Sequence, residues 1–475
     1  MYNICILIAI DSEGVICLND IEFVNLLAKK IANKGGKAYL VGGCVRDKLL
    51  NKPNKDIDVE VYNISPNTLR EIINSIGTLT EHGKSFGVFG VKGYDIDIAM
   101  PRRERCVGVK HTDFDVSIDP YMSVEEASRR RDLTMNAIMY DICAEAYIDP
   151  HNGIVDIDNG IIRHVDANTF IEDPLRVLRV AQFASRFPNM IVAKETIKLC
   201  SSMDISTLPK ERIFEELLKA LNKSPKPSIF FNTLLKMNQL HDWFPEIETL
   251  INVPQNELYH KEGSVYNHTM IALDNIVSYI KTNHFDSSIT NIALATICHD
   301  FGKIVATETI NDVTHSYGHE NYGAEIAKTF IGRLTNDKSI INYVTNMVSM
   351  HMKPHQCFNN TSRLKKTNKM FDDSINPFEL IILAYADTLA SECDNRNATY
   401  AIDEFYWLIN RYEMYRDTMS KPYVKGSDLV DNGLKPGKYF SELLTFAHKL
   451  RLANIPKDEA LKQVLGLSRK VIGKC

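Results

Sequence analysis

Two periods of hydrophobic and polar residues run along this chain, and they predict different elements. Near the N-terminus the period is two. Ala38-Tyr-Leu-Val41 is an apolar run of strand length. In Asp56-Ile-Asp-Val-Glu-Val61 the apolar Ile57, Val59 and Val61 take alternate positions, so a strand shows them on one face and the carboxylates on the other. Asp95-Ile-Asp-Ile98 repeats that logic. From Asp173 to about Leu250 the spacing is helical, with one stripe of Leu175, Leu178, Ala181, Phe183 and Phe187 and another of Ile213, Leu217, Leu218 and Leu221. A third helix carries His268 on the stripe of Val265, Ala272 and Ile276, pointing inward. Strands then helices predict an α/β N-terminal unit followed by helical units.

Length agrees with that division, since single cores rarely grow past about 250 residues and the chain has 475. Hydrophobic content of 44% and charged content of 24% describe a globular protein without low-complexity segments. A net charge of −5 gives no global sign of nucleic-acid binding, although Pro101-Arg-Arg-Glu-Arg105 and Arg129-Arg-Arg131 concentrate positive charge locally. The ten cysteines include no Cys-x-x-Cys pair, which suits reduced thiols and a cytoplasmic protein. The opening Met1-Tyr-Asn-Ile-Cys-Ile-Leu-Ile-Ala-Ile10 lacks a basic start and falls short of the roughly 20 residues that span a bilayer. It reads as a strand or packing segment, and no membrane partner is expected.

The chemistry concentrates first around Leu40-Val-Gly-Gly-Cys-Val-Arg-Asp47. Gly42-Gly43 makes the turn from the strand at 38–41 into a helix beginning near Val45, where missing Cβ atoms let backbone N–H groups approach a triphosphate. Asp56 and Asp58 offer a pair of carboxylates for Mg²⁺, and Asp97, or failing it Asp95, can be brought beside them on a neighbouring strand. Three carboxylates around two Mg²⁺ ions suit in-line nucleotidyl transfer.

These segments, together with Arg130-Arg-Asp-Leu-Thr-Met-Asn-Ala137, Asp149-Pro-His-Asn-Gly-Ile-Val-Asp156 and Glu172-Asp-Pro-Leu-Arg176, resemble in order the motifs of class II tRNA nucleotidyltransferases, the CCA-adding enzymes. The resemblance implies a polymerase-β-like head over residues 31–165, after an N-terminal extension of residues 1–30. It implies metal on Asp56 and Asp58, and contacts of Gly42, Gly43, Arg46, Arg130, Asp132 and Asn136 to the incoming nucleotide. It also implies base reading by Asp173 and Arg176, with Glu172 in support. An Asp accepts from the exocyclic amine that cytosine and adenine share, and an Arg donates to ring acceptors, so the pair can accept C or A and reject U and G. Residues 102–125, charged and without helical periodicity, stand where the family has a flexible loop. The implied substrates are ATP, CTP and the 3′ acceptor end of tRNA. Poly(A) polymerases of the same superfamily carry an Arg-Arg-Phe signature where this chain reads Ser85-Phe-Gly-Val-Phe-Gly90. Poly(A) or A-only addition is therefore the alternative product. A helical neck and body over residues 166–255 would follow, with Lys210, Arg212, Lys219, Lys223 and Lys226 available to RNA phosphates.

A second chemistry lies further on. Nine of the fourteen histidines fall between His241 and His355. The pair His299-Asp300 follows an apolar run, and Asp387 sits within Leu380-Ile-Ile-Leu-Ala-Tyr-Ala-Asp-Thr-Leu389, where an unpaired buried carboxylate is costly. A shared cation with His268 answers each problem. His268, His299-Asp300 and Asp387, with Phe301-Gly-Lys303 trailing, resemble the HD phosphohydrolase superfamily. That implies an all-α HD domain over 256–395 with a divalent transition metal such as Mn, Ni, Co, Fe or Zn. His319 and His351 resemble the added ligands of two-metal members. The implied activity is that of a phosphodiesterase or phosphatase, with residues 396–475 as a helical tail. The contrary reading makes this domain the main catalyst and the head a binder of RNA ends.

Overall fold

A computed structural model of the chain describes residues 19–54, 56–81, 88–106, 114–256, 258, 260–284, 289–311, 313–391 and 396–472. The chain divides into two compact units, residues 1–208 and 209–475. The N-terminal run Met1 to Ile10 lies outside the described residues.

The first unit is built on a seven-stranded sheet. Its strands are β1 Lys37–Val41, β2 Ile57–Tyr62, β3 Leu79–Glu81, β4 Val88–Val91, β5 Ile96–Ala99, β8 Met139–Asp141 and β9 Ala146–Ile148, in the order β3-β4-β5-β2-β1-β8-β9. Between β5 and β8 in the chain, β6 Arg102–Cys106 and β7 Phe114–Ile118 form a separate antiparallel hairpin. All neighbours in the large sheet are antiparallel except β2 and β5, which run parallel with Asp58 opposite Asp97. Helix α1, Asp20–Ala32, begins at a capping box in which Asn19 and Glu22 each accept from the other's backbone N–H. It buries Phe23, Leu27 and Ile31 against Val59, Val61 and Ile98. Each such fully buried side chain contributes about 1.5–3 kcal/mol. The period-two reading thus puts its apolar face into this core, and the opposite face is open only at its start, at Asp56 and Asp58. The stretch expected as a loop, 102–125, differs. Its described ends pair as β6 and β7, with Arg105 opposite Asp115, and Ser123 caps a short helix, Val124–Arg129. Strand pairing has period two, a signal that a search for helical periodicity does not see.

Helix α2, Gly43–Leu49, starts two residues ahead of its expected start near Val45, directly at the turn. Helix α3, Leu175–Arg186, buries the stripe read from sequence, from Leu175 and Leu178 through Phe183.

Among the described residues the second unit is helical apart from the short hairpin Glu308–Ile310 with Val313–His315. The HD domain is all-α, as expected, with that hairpin as a small excursion between its helices. Its clustered histidines lie on or directly beside α4 Val265–Thr282, α5 Ile289–Cys298, which ends just before His299, α6 His319–Leu334 and α7 Met352–Asn359, which His351 precedes, with α8 Pro377–Ala390 and α9 Arg396–Ser420 packed nearby. The last helices, Tyr439–Leu452 and Lys457–Ile472, share a small core of Leu429, Leu443, Ala447, Ala460 and Val464. Among the described residues no helix is long and apolar enough to cross a membrane.

Candidate functional site

In the first unit the site grows from the turn after β1. Gly42 has φ +71, a left-handed conformation that favours glycine. A Cβ there would meet Asp58 Oδ2 at 3.5 Å and Arg131 Nη1 at 3.7 Å. The turn, the carboxylate and an arginine therefore meet at one point. Asp58 opens β2 half-buried, Asp56 lies exposed just ahead of the strand, and Asp97 lies exposed on β5 opposite Asp58. Burial, reinforced by Asp97 and Asp56, lifts the Asp58 carboxyl above its ordinary pKa against the pull of Arg131. Asp95 precedes β5 and is not in register with Asp58.

The alternation in β2 continues to Glu60, which sequence reading passed over. Glu60 is 1% exposed and accepts from Tyr62 Oη at 3.0 Å. Arg130 Nη2 lies 3.3 Å from one of its oxygens and Arg131 Nη2 3.6 Å from the other. One buried carboxylate thus anchors two arginines at the edge of the site. The signal was present, because Glu60 follows Asp56 and Asp58 at the same period.

Behind the turn lies a buried polar chain. Asp149 accepts from the backbone N–H groups of Gly153 and Ile154, both at 2.8 Å, which starts the helix Gly153–Asp158. Asp156 in turn accepts from Thr134 Oγ1 at 2.7 Å and fixes the 3₁₀ turn Thr134–Asn136. From there Asn136 donates to Asp132 Oδ1 at 2.9 Å and accepts from Arg46 Nη1 at 2.7 Å. Asp132 Oδ2 accepts from Arg179 at 2.7 Å. Burial pushes the Asp132 carboxyl up, but Arg179, Asn136 and the Leu133 N–H outweigh it and leave it below the ordinary carboxylate value. Arg46 is 4% exposed, lies against Phe183 and Phe187, and donates to Asp47. Its guanidinium is held inside, beneath Gly43. Asp173 lies just ahead of α3 and accepts from the Leu175 N–H at 3.1 Å. Arg176 donates to the backbone oxygens of Thr169, at 2.8 Å, and Arg130, at 2.6 Å, which uses two of its five donors. Glu172 is exposed beside them. Arg179, one turn beyond Arg176, was missed; its i+3 spacing was the available sign.

The second unit gathers the histidines. His268 Nε2 meets Asp387 Oδ1 at 2.8 Å, and His299 Nε2 lies 3.7 Å from the same oxygen. His319 Nε2 lies 3.2 Å from Asp300 Oδ1 and 3.0 Å from His351 Nε2. Among the described residues these side chains form two groups, His268 with His299 and Asp387, and Asp300 with His319 and His351, while a third joins His268 to His260 and Glu262. All six residues proposed from sequence are brought together. Burial alone would lower the His299 imidazole, yet Asp300 and Asp387 hold it up at about 10. Burial and the neighbouring His319 and His299 press His351 down to about 3. Asp300 and Asp387 sit well below the ordinary range, because Lys303 and the histidines outweigh their desolvation.

These residues fit a divalent metal on a structural criterion. His299 Nε2 is fully buried and makes no hydrogen bond, while its Nδ1 is held at 2.6 Å by the Thr296 carbonyl. A buried imidazole nitrogen that makes no hydrogen bond yet lies 3.3 Å from Asp300 Oδ2 and 3.7 Å from Asp387 Oδ1 is what a cation would satisfy. Sequence reading missed Glu262, whose Oε1 takes His268 Nδ1 at 2.8 Å. It also missed His355, which lines the cavity with His260, Asp300, Lys303, His319 and Asp387. Its spacing of four from His351 puts both on one helical face. Gly302 has a steric reason: a Cβ there would overlap the His319 carbonyl oxygen and lie 2.6 Å from Gly323 N.

The lysines expected on a phosphate-binding surface are partly engaged. Lys219 pairs with Glu215 at 2.8 Å and Glu216 at 3.0 Å, and Lys210 donates to Asn336 at 2.7 Å.

Comparison with known proteins follows the same segments. Residues 38–163 match the family described as the poly A polymerase head domain, residues 192–251 the probable RNA- and SrmB-binding site of polymerase A, and residues 265–392 the HD domain. The multifunctional CCA protein of Mannheimia succiniciproducens is 39% identical over 304 residues, 63% of this chain and 70% of that protein. Its counterpart in Pasteurella multocida is 33% identical over 418 residues, 86% of this chain and 94% of its own length. Among solved structures, a CCA-adding enzyme in apo form aligns over 94% of this chain and 95% of its own with a TM-score of 0.64 at 21% identity. The Thermotoga maritima CCA-adding enzyme complexed with tRNA(CCA) aligns over 93% of this chain and 94% of its own with a TM-score of 0.61 at 19% identity.

Proposed function

The chain belongs to the family of multifunctional CCA proteins, and from that premise we propose how its own residues perform the family's work. It is an RNA-processing nucleotidyltransferase that adds CCA to tRNA 3′ ends from CTP and ATP. The observation that carries the reading is the meeting of Asp58, Arg131 and the Gly42 turn, with Asp97 opposite Asp58 across parallel strands.

Asp56, Asp58 and Asp97 would hold Mg²⁺, which supplies charge neutralisation of the triphosphate and lowers the pKa of the attacking hydroxyl. Arg130 and Arg131, anchored by Glu60, present positive charge beside the turn where Gly42 and Gly43 receive the phosphates. Asp132 and Asn136 line the ribose side, and the chain through Arg46 and Arg179 keeps them from swinging. Asp173 and Arg176 stand at the start of α3 to read C or A, with the backbone bonds of Arg176 fixing its guanidinium plane. Residues 31–165 act as head, 166–255 as neck and body, 256–395 as HD domain and 396–475 as tail. A cytoplasmic setting agrees with Cys44, Cys143, Cys200, Cys298 and Cys357, which are free.

The HD centre is a second active site. His268, His299, Asp300 and Asp387 would hold one transition metal, and Asp300, His319 and His351 a second, with phosphoester hydrolysis as the chemistry. The buried His299 Nε2, set between the Asp300 and Asp387 carboxylates without a hydrogen bond, favours this over an inert helical domain.

The test is to offer tRNAs ending at the discriminator base, CC or CCA with Mg²⁺, CTP and ATP, singly and together. A three-nucleotide extension that stops supports CCA addition. A long A ladder moves the chain to poly(A) synthesis, and no extension with any end makes the HD centre the main catalyst.

A further inference from the structure

Asp387 is shared by two imidazoles, only one of which the HD motif contains. Its Oδ1 meets His268 Nε2 at 2.8 Å and its Oδ2 meets His355 Nε2 at 3.2 Å. Each of these rings is held from behind in the same way. His268 Nδ1 lies 2.8 Å from Glu262 Oε1, and His355 Nδ1 lies 2.8 Å from Glu404 Oε1. Both glutamate side chains are 1% exposed. Glu404 is itself fixed, accepting from Thr388 Oγ1 at 3.0 Å on its other oxygen. The pattern of buried glutamate, imidazole and shared aspartate therefore occurs twice, on opposite sides of one carboxylate.

The chemistry of the pattern is specific. A carboxylate on Nδ1 claims the ring proton there, so the neutral imidazole carries its lone pair on Nε2. At His355 that lone pair faces Asp387 Oδ2, another acceptor. That 3.2 Å approach is closed by a positive species, either a proton that makes the ring an imidazolium or a cation shared by the two atoms. A surface histidine would show neither the buried carboxylate behind nor the acceptor in front.

Position adds a second, independent reason. His355 lies one helical turn beyond His351 on α7, and its side chain is 14% exposed, on the wall of the cavity that Asp300, His319 and Asp387 also line. One helical turn thus separates an imidazole of the second group from one that rests against Asp387 of the first. Lys303, which also lines the cavity, is engaged by Asp300 at 2.7 Å and by Gln255 at 2.9 Å.

We propose that His355 is a metal ligand of the HD centre through Nε2, with Glu404 as its positioning residue in the role Glu262 plays for His268. This rests on the reading of that centre as a metal site. The full-length protein is stripped of metal and titrated with Co²⁺, following both affinity and the visible absorption of the bound ion, for wild type, His268→Ala, His355→Gln and Glu404→Gln. Removing an imidazole ligand should change the Co²⁺ spectrum and weaken binding about 10–100-fold, and Glu404→Gln should weaken it less in the same direction, as loss of an orienting partner does. Thermal unfolding of each metal-free variant shows whether its fold survives, and the volume-matched Glu404→Gln carries the test if His355→Gln does not fold. If wild type binds Co²⁺, His268→Ala loses it, and both His355→Gln and Glu404→Gln keep wild-type affinity and spectrum, the assignment of His355 is overturned while the metal centre stands. If wild type takes up no Co²⁺, both fall.

Discussion

The two candidate centres put their acids in opposite surroundings. In the head Asp56 and Asp97 are exposed and Asp58 is half-buried, and the three do not close into a group of ligand atoms among the described residues. In the HD domain His268, His299, Asp300, His319 and His351 are buried and close into two such groups. Mg²⁺ commonly takes one or two carboxylates and completes its shell with water and substrate phosphates. An open row of carboxylates beside a glycine turn suits an ion that arrives with a nucleotide. Buried imidazoles and carboxylates packed together suit an ion held mainly by protein side chains. The comparison teaches that one chain can contain a site completed by its substrate and another completed by its own side chains.

The largest effect should come from breaking the open site. Asp58→Ala removes the carboxylate nearest the turn and Arg131, and with it the shared hold on two ions. A loss of about 4 kcal/mol of transition-state stabilisation corresponds to about a 10³-fold fall in CCA addition. Single-turnover extension of a tRNA ending in CC measures it, while Co²⁺ uptake by the HD centre should stay unchanged. Equal loss at both centres would mean that the substitution unfolds the protein.

The complementary break is Asp387→Ala. It removes the carboxylate that receives both His268 and His355, so tightly bound transition metal should fall about 100-fold or more in affinity, with CCA addition retained. Metal analysis after desalting and the extension assay together decide it. Gly302→Ala should act on the same centre more mildly. Its Cβ would press on the His319 carbonyl and Gly323 N, moving the second group relative to the first. Overpacking of this kind costs about 1–3 kcal/mol, measured as a lower midpoint of thermal unfolding for the second unit.

How much of this was legible depended on whether a residue acts outward or inward. The alternation in β2 was enough to put Ile57, Val59 and Val61 on one face and the acids on the other, and the inward stripe of α4 was enough to bury His268. Both follow from periodicity, which local sequence carries. The residues behind the first contacts were not legible. Glu262 and Glu404 hold their histidines from 6 and 49 residues away, and Arg179 reaches Asp132 across 47. No period links such pairs; they meet because the fold closes on them. The described ends of residues 102–125 failed differently, since strand pairing leaves no helical trace.

The smallest effect, and the one that separates scaffold from chemistry, concerns Asp132. It lies almost fully buried behind the open site, and its charge is satisfied chiefly by Arg179, whose own side chain is 34% exposed. Breaking a buried pair costs about 3–5 kcal/mol, and the solvent reaching Arg179 screens part of that, so Arg179→Ala should destabilise the first unit by about 2 kcal/mol. The pH dependence follows from the sign of the shift. Asp132 has its carboxyl lowered from 3.8 in the folded chain, so the folded state favours the charged form. Its contribution is fully present above the unfolded value and is lost as pH falls through the lower folded value. Wild type should therefore lose stability on acidification below about pH 4 more steeply than Arg179→Ala, in which the folded carboxyl no longer has its main cation. Denaturant unfolding followed between neutral pH and pH 3 reads the difference. Parallel curves would mean that Arg179 supports the site by contact with a nucleotide, not by holding Asp132.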